Sequence, residues 1–302
     1  FTMAQVADGP AGIANCLKLT TTTADTSIAA GEYLILQTKF EGQDLQQLKK
    51  GTASAEQVTV SFYVKGNAAA LYVCELFDYD NSRSITQSFA VTTAWNRIEL
   101  TFAADTSDPL DDDNAASLAI DIWLHAGATY TGGTFAVNTW NDNTDANRYA
   151  VADRTSIFDA TSRTLSITGV QMEIGTQATD FESRSYGEEL TLCQRYCYVV
   201  EGASKPIATS LSYAATASNG VVPFPVPMRT SPSATYAGGT DFLVTNGAGS
   251  ALTTTSVGNY VSSPVAIEFT TTVSGGGLTQ GQAGLQRTKD GNTAKITLYA
   301  EL

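Results

Sequence analysis

The stretch Glu56-Gln-Val-Thr-Val-Ser-Phe-Tyr-Val-Lys65 decides the fold class. Val58, Val60, Phe62 and Val64 share one phase of the chain, and Thr59, Ser61, Tyr63 and Lys65 share the other. Successive side chains of a strand point to opposite faces, so this alternation reads as a strand with one face buried. Similar runs lie on either side, at 13–19, 33–40, 71–77, 85–91, 95–102, 118–124 and 164–174. They are rich in Thr, Val and Ile, which suit a pleated surface. Polar turn clusters separate them, among them Asp25-Thr-Ser, Gly66-Asn, Asp78-Tyr-Asp-Asn-Ser and Gly132-Gly. About eight strands joined by such turns predict an antiparallel sandwich or jelly roll. Residues 43–50 form one short helical candidate between strands.

Further along, the pattern changes. Tyr186-Gly-Glu-Glu-Leu-Thr-Leu-Cys-Gln-Arg-Tyr-Cys197 sets Leu190, Cys193 and Cys197 at helical spacing, with Glu188 and Glu189 where a helix dipole favours acids. Beyond residue 203, Val221-Val-Pro-Phe-Pro-Val-Pro-Met-Arg229 is extended and punctuated by proline, a residue confined to sheet edges and strand starts. Short β runs follow at 242–245, 257–262, 265–273 and 294–300, with a Gly275-Gly-Gly turn between the last two. The expected organisation is an all-β chain. A jelly-roll sandwich occupies residues 1–185, a connector helix 186–202, and a smaller β domain 203–302. The 302 residues carry 17 Lys+Arg against 30 Asp+Glu, a formal charge of −13. Residues 203–302 hold five basic and four acidic side chains, so the acidity belongs to the first part.

These numbers exclude several functions. So acidic a chain is repelled by phosphate backbones, which argues against bulk nucleic-acid binding. Its single histidine, His125, cannot build a two-histidine metal site. No G-x-S-x-G elbow accompanies it, so it reads as a strand-end structural residue rather than a catalytic base. Gly275–Gly281 fits no phosphate-binding loop and reads as a turn tip. No apolar run is long enough to span a membrane. Cys16, Cys74, Cys193 and Cys197 form no disulfide framework, and their expected state is buried thiols made in a reducing cytoplasm.

Several segments together resemble tail-fibre and virion-surface proteins of tailed bacteriophages. They are Ile167-Thr-Gly-Val-Gln-Met-Glu-Ile-Gly-Thr-Gln-Ala-Thr-Asp-Phe-Glu-Ser-Arg184 running on to Gly187–Tyr196, with Phe40-Glu-Gly-Gln-Asp-Leu45, Phe62-Tyr-Val-Lys65, Phe102-Ala-Ala-Asp-Thr106 and Ser117-Leu-Ala-Ile-Asp-Ile-Trp-Leu124. The resemblance covers roughly residues 11–197 and lies in the combination, not in any one piece. A looser one joins Pro225-Val-Pro-Met-Arg-Thr-Ser-Pro232 to the start of a small distal domain in phage fibres. It implies a jelly roll similar to carbohydrate-binding modules, and a homotrimeric, non-enzymatic virion appendage that is assembled with other virion proteins in the host cytoplasm and adheres to the host surface. Decoration of a capsid without a host ligand, and a polysaccharide depolymerase, are the alternatives.

Two constellations are site candidates. Sugars stack on aromatic rings and hydrogen-bond to polar side chains. Trp140-Asn-Asp-Asn-Thr-Asp-Ala-Asn-Arg-Tyr149, with Tyr130 upstream, offers both, so Trp140, Tyr130, Asp142, Asn143 and Arg148 are the expected carbohydrate contacts. Trp95 and Trp123 lie in strand patterns and read as core. The acidic run 105–114 supplies hard oxygen ligands at Asp108, Asp111 and Asp113, and the resemblance adds that jelly-roll modules often hold a structural Ca²⁺. Three copies would let Val222, Phe224 and Met228 form a shared apolar seam.

Overall fold

In the computed structural model, which describes residues 1–291 and 294–302, the chain divides into two compact units, 1–183 together with Leu302, and 184–301. Both are β structures. The strands of the first unit are β1 (Thr2–Val6), β2 (Cys16–Thr20), β3 (Tyr33–Glu41), β4 (Val58–Gly66), β5 (Ala70–Asp78), β6 (Arg83–Val91), β7 (Asn96–Phe102), β8 (Ala116–Ala126), β9 (Asn141–Asp142) and β10 (Thr164–Ile174). They form two five-stranded antiparallel sheets, ordered β1-β2-β10-β4-β7 and β3-β8-β5-β6-β9. The short helix α1 (Ala128–Thr131) lies in the long connection after β8. This is the sandwich that the alternating strands predict.

The core lies between the sheets. Val58, Val60, Phe62 and Val64 of β4 are all buried in it. Phe62 meets Phe89 of β6 edge-on, with ring centroids 5.0 Å apart, which fixes the inward phase of the second sheet. Phe89 is opposite Tyr72, so Tyr72, Cys74 and Leu76 of β5 face inward, and their partners Ile122 and Ile120 of β8 do too. The other phase carries Val73, Glu75 and Phe77 of β5 with Asp121 and Trp123 of β8. It therefore faces away from the opposite sheet. Residues 43–50 hold two 3₁₀ turns, Gly42–Asp44 and Gln46–Leu48, in place of one helix. A Cβ on Gly42 would lie 2.0 Å from the Asp111 carbonyl oxygen, so the chain needs glycine where these turns begin.

The second unit opens with α2 (Tyr186–Gln194). Ser185 and Glu188 close a capping box at its start. The strands that follow are β11 (Cys197–Glu201), β12 (Pro206–Ala214), β13 (Ala217–Pro223), β14 (Ser233–Tyr236), β15 (Phe242–Thr245), β16 (Ala251–Ser262), β17 (Ala266–Val273), β18 (Ala283–Thr288) and β19 (Lys295–Tyr299). Six of them close an antiparallel barrel, β12-β13-β17-β16-β15-β18, and β11-β19-β14 form a separate small sheet. β11 pairs along its whole length with β19, so the stretch expected as connector up to residue 202 already belongs to this unit.

Two expectations need correction. Val222 and Met228 are buried in the second unit's own core, with Phe224 packed against it, so they are spent inside one chain and not left for a seam between copies. Cys16 and Cys74 are buried thiols, but Cys193 is exposed on α2, which buries none of its side chains, and Cys197 is half-buried at the start of β11.

Candidate functional site

The outward phase of β3-β8-β5-β6-β9 carries an unusual load. Glu75 and Asp121 are directly opposite on neighbouring strands, and Gln37 of β3 is opposite Asp121. Both acids are almost fully removed from solvent, at 0% and 1% exposure. The segment after β8 covers them. It is tied down by Thr155 N–H donating to the Leu71 carbonyl at 3.0 Å and Ile157 N–H donating to the Leu124 carbonyl at 2.9 Å. From this segment Arg148 reaches both acids.

Arg148 Nε and Nη2 donate to Glu75 at 2.8–3.0 Å, and Nη2 also donates to Asp121 Oδ2 at 3.1 Å. Trp123 Nε1 donates to Glu75 Oε2 at 2.7 Å, and Gln37 Nε2 donates to Asp121 Oδ1 at 2.8 Å. The buried acids are thus paired and hydrogen-bonded, as burial of a charge requires. Burial pushes the Glu75 carboxyl upward, and the Arg148 guanidinium opposes that shift. It pushes Asp121 upward too, against the Gln37 hydrogen bond and Arg148.

Aromatic rings surround the guanidinium. Its carbon lies 4.6 Å from the Phe77 ring centroid and 4.7 Å from that of Trp123. Such contacts are cation–π pairs. Beyond Trp123 lie Tyr130 at 5.3 Å and Tyr33 at 5.9 Å, and Tyr149 stacks on its indole at 6.1 Å. Beyond Phe77 lies Tyr79 at 4.9 Å. Gln37 Nε2 also donates to the Tyr79 hydroxyl at 3.0 Å, and the Lys39 ammonium lies 5.2 Å from the Tyr79 ring centroid. At the two ends the rings reach solvent: Tyr33 is 54% exposed and Tyr79 38%. Tyr33 and Gln37 are four residues apart on β3, so the two exposed rings are separated by roughly 13 Å along the strand direction. The arrangement is a rigid aromatic stripe with hydrogen-bonding groups between its ends.

Of the residues expected to contact carbohydrate, the structure places Tyr130 and Arg148 on this face. The other three lie elsewhere. Trp140 packs against the core and donates its indole N–H to the Ala103 carbonyl at 2.8 Å. Asp142 is exposed on the edge strand β9 and accepts from Arg83 at 3.0 Å. Asn143 donates its backbone N–H to the Ser82 carbonyl. Tyr33, Gln37, Glu75, Phe77, Tyr79, Asp121 and Trp123 are the members that the sequence did not single out as site residues. One signal was available. Glu75 and Asp121 each interrupt a run that is apolar on both phases, the pattern of a strand covered on both faces, where an acid must have a partner.

The acidic run is organised by a lysine. Lys50 Nζ donates to Asp78 Oδ2 at 2.5 Å and to the Asp108 carbonyl at 2.8 Å, and lies 3.1 Å from Asp105 Oδ2. The Trp140 ring centroid is 5.2 Å from the same ammonium. Asp113 accepts from the Ala115 N–H, and Asp111 donates its backbone N–H to Asp80 Oδ2 at 2.8 Å. Asp108, Asp111 and Asp113 do not converge, and among the described residues no three His, Cys, Asp or Glu side chains form a metal-holding group. His125 is buried, pairs its Nδ1 with Ser156 Oγ at 2.7 Å and meets Phe158 edge-on.

No family model matches the chain, and no curated protein matches it. Solved structures similar to it include carbohydrate-binding modules. A family 30 module is 13% identical over 62% of this chain and 82% of its own, with a TM-score of 0.32. A family 11 module from Clostridium thermocellum, in complex with a β-1,3-1,4-mixed-linked tetrasaccharide, is 14% identical over 59% and 84%, with a TM-score of 0.29. The tandem CBM22 domains of Paenibacillus barcinonensis Xyn10C are 13% identical over 99% and 89%, with a TM-score of 0.28. Likeness this distant carries no functional inference.

Proposed function

We propose that residues 1–183 form a non-catalytic glycan-binding module that uses the outward face of β3-β8-β5. The observation that carries this reading is the stripe itself. Two exposed tyrosines stand at the ends of a face whose centre is a guanidinium held flat among aromatic rings. Sugar rings offer C–H faces to such rings and hydroxyls to the polar groups between them. The same geometry disfavours hydrolysis. Glu75 and Asp121 are the acids on this face that lie closest to the stripe's centre, and both are committed to Arg148, sealed from solvent and unable to reach a glycosidic oxygen.

Tyr33→Ala and Tyr79→Ala test the reading. Each is expected to weaken binding to a retained polysaccharide several-fold, about 1 kcal/mol per ring, without lowering the Tm. Unchanged affinity in both, with loss in a folded Trp140→Ala variant, moves the site to the 140–148 loop.

The finer reading is adhesion of a phage fibre or spike to host-surface polysaccharide, as a homotrimer on the virion. It rests on the sequence resemblance alone. Light scattering of the full chain tests the trimer, and a stable monomer at micromolar concentration contradicts it.

A further inference from the structure

Arg148 is the cation at the centre of the face, yet little of its charge is on offer. Its Nε and Nη2 are consumed by Glu75 and Asp121, two carboxylates for one guanidinium. Nη1 has no hydrogen bond to protein among the described residues, and the side chain keeps 15% of its surface open. What remains for a ligand is a pair of N–H donors in a plane beside aromatic faces. The second cation, Lys39, stands over the Tyr79 ring and donates to the Leu302 carbonyl at 3.0 Å, and Asp121 feels its charge. The surroundings add to this. Residues 1–183 hold ten basic and 23 acidic side chains, a net charge of −13 on this unit, whereas residues 184–301 hold seven of each. A polyanion approaching the face meets repulsion over about a Debye length.

We infer, building on the glycan-binding reading, that Glu75 and Asp121 turn Arg148 into a charge-cancelled donor, so that the face selects neutral, hydroxyl-rich chains and rejects anionic ones. Glu75 is the specificity-determining member. It takes three of the four donor contacts of the guanidinium and holds it between Phe77 and Trp123. It acts through Arg148 and touches no ligand itself.

Isothermal titration of the full chain tests the inference. The probes are soluble mixed-linked β-glucan, galactomannan and dextran as neutral chains and polygalacturonate as the anionic one, at about 20 and 300 mM salt. The expected result is binding to at least one neutral chain with less than a twofold change between the salts, and none to polygalacturonate at either. Glu75→Gln/Asp121→Asn keeps the shape but removes both cancelling charges, because either acid alone still balances the guanidinium. The double variant is expected to weaken the neutral chain at least tenfold and to bind polygalacturonate at the low salt only. Should it not fold, judged by its melting curve, either single variant is read for a smaller gain on polygalacturonate at the low salt. Wild-type binding to polygalacturonate that falls with salt overturns the selectivity and leaves the glycan reading standing. Binding to none of the four chains overturns the glycan reading itself. A double variant that loses neutral binding without any gain on polygalacturonate overturns the charge-cancelling role given to Glu75 and Asp121.

Discussion

Asp121 shows what burying an acid does to pH dependence. Its folded-state value is raised by burial, so between the ordinary aspartate value, about 3.9, and the raised one the native state binds more protons than the unfolded chain. Stability from this residue is therefore full at low pH and is lost as pH rises through that window. Asp121→Asn lacks the effect. The Tm of the wild type minus that of Asp121→Asn is expected to fall between pH 4 and pH 7 in scanning fluorimetry. A difference that grows with pH would mean that the ion pair with Arg148 outweighs desolvation. This residue also marks a limit of sequence reading. Trp123 was legible as buried and Arg148 and Tyr130 as ligand-like, but the partners of Arg148 lie 73 and 27 positions away in the chain. Only the pairing of β5 with β8, under a covering segment, brings them together.

At the level of elements, strands with an apolar phase were legible and strands without one were not. β10 has the bounds that its alternation predicts, and β3 to β8 are found within about two residues, the usual uncertainty of element ends. β1, β9, β11, β12, β13, β14 and β18 were not read from the sequence. For β12, β13 and β18 the barrel shows why. Its buried positions include Ser210, Ser212, Ser218, Thr271, Gln286 and Thr288, so the inward phase is polar and its period does not register as hydrophobic. The acidic loop has a partner that its own residues do not announce. The Asp105 carboxylate and the Asp108 carbonyl face Lys50, contributed by a turn some 55 positions upstream. Lys50→Ala leaves Asp78 and Asp105 buried beside no ammonium, a loss of about 3–5 kcal/mol. Calorimetry should show the first unit's melting transition lowered by roughly 10 °C. The exposed neighbour Lys49, paired with Glu56, is the control, and its replacement by Ala should cost at most about 1 kcal/mol. Equal shifts in the two variants would contradict the role given to Lys50.

On the scale of the whole molecule, division of labour follows charge and packing. The acidic sandwich carries an aromatic stripe on one sheet face, while the second unit is electrically neutral and closes a barrel around a partly polar interior. Composition alone showed the charge asymmetry. It could not show which parts of this sheet face stay exposed, because that depends on where residues 127–158 run. Hydrogen–deuterium exchange of the full chain, with and without a neutral polysaccharide that it binds, tests the central claim most directly. Protection is expected in β3, around Tyr33 to Lys39, and in the Phe77–Tyr79 end of β5, with the barrel strands unchanged. Protection confined to the second unit, or to the 140–143 edge with β3 unaffected, would contradict a glycan site on the outward face of this sheet.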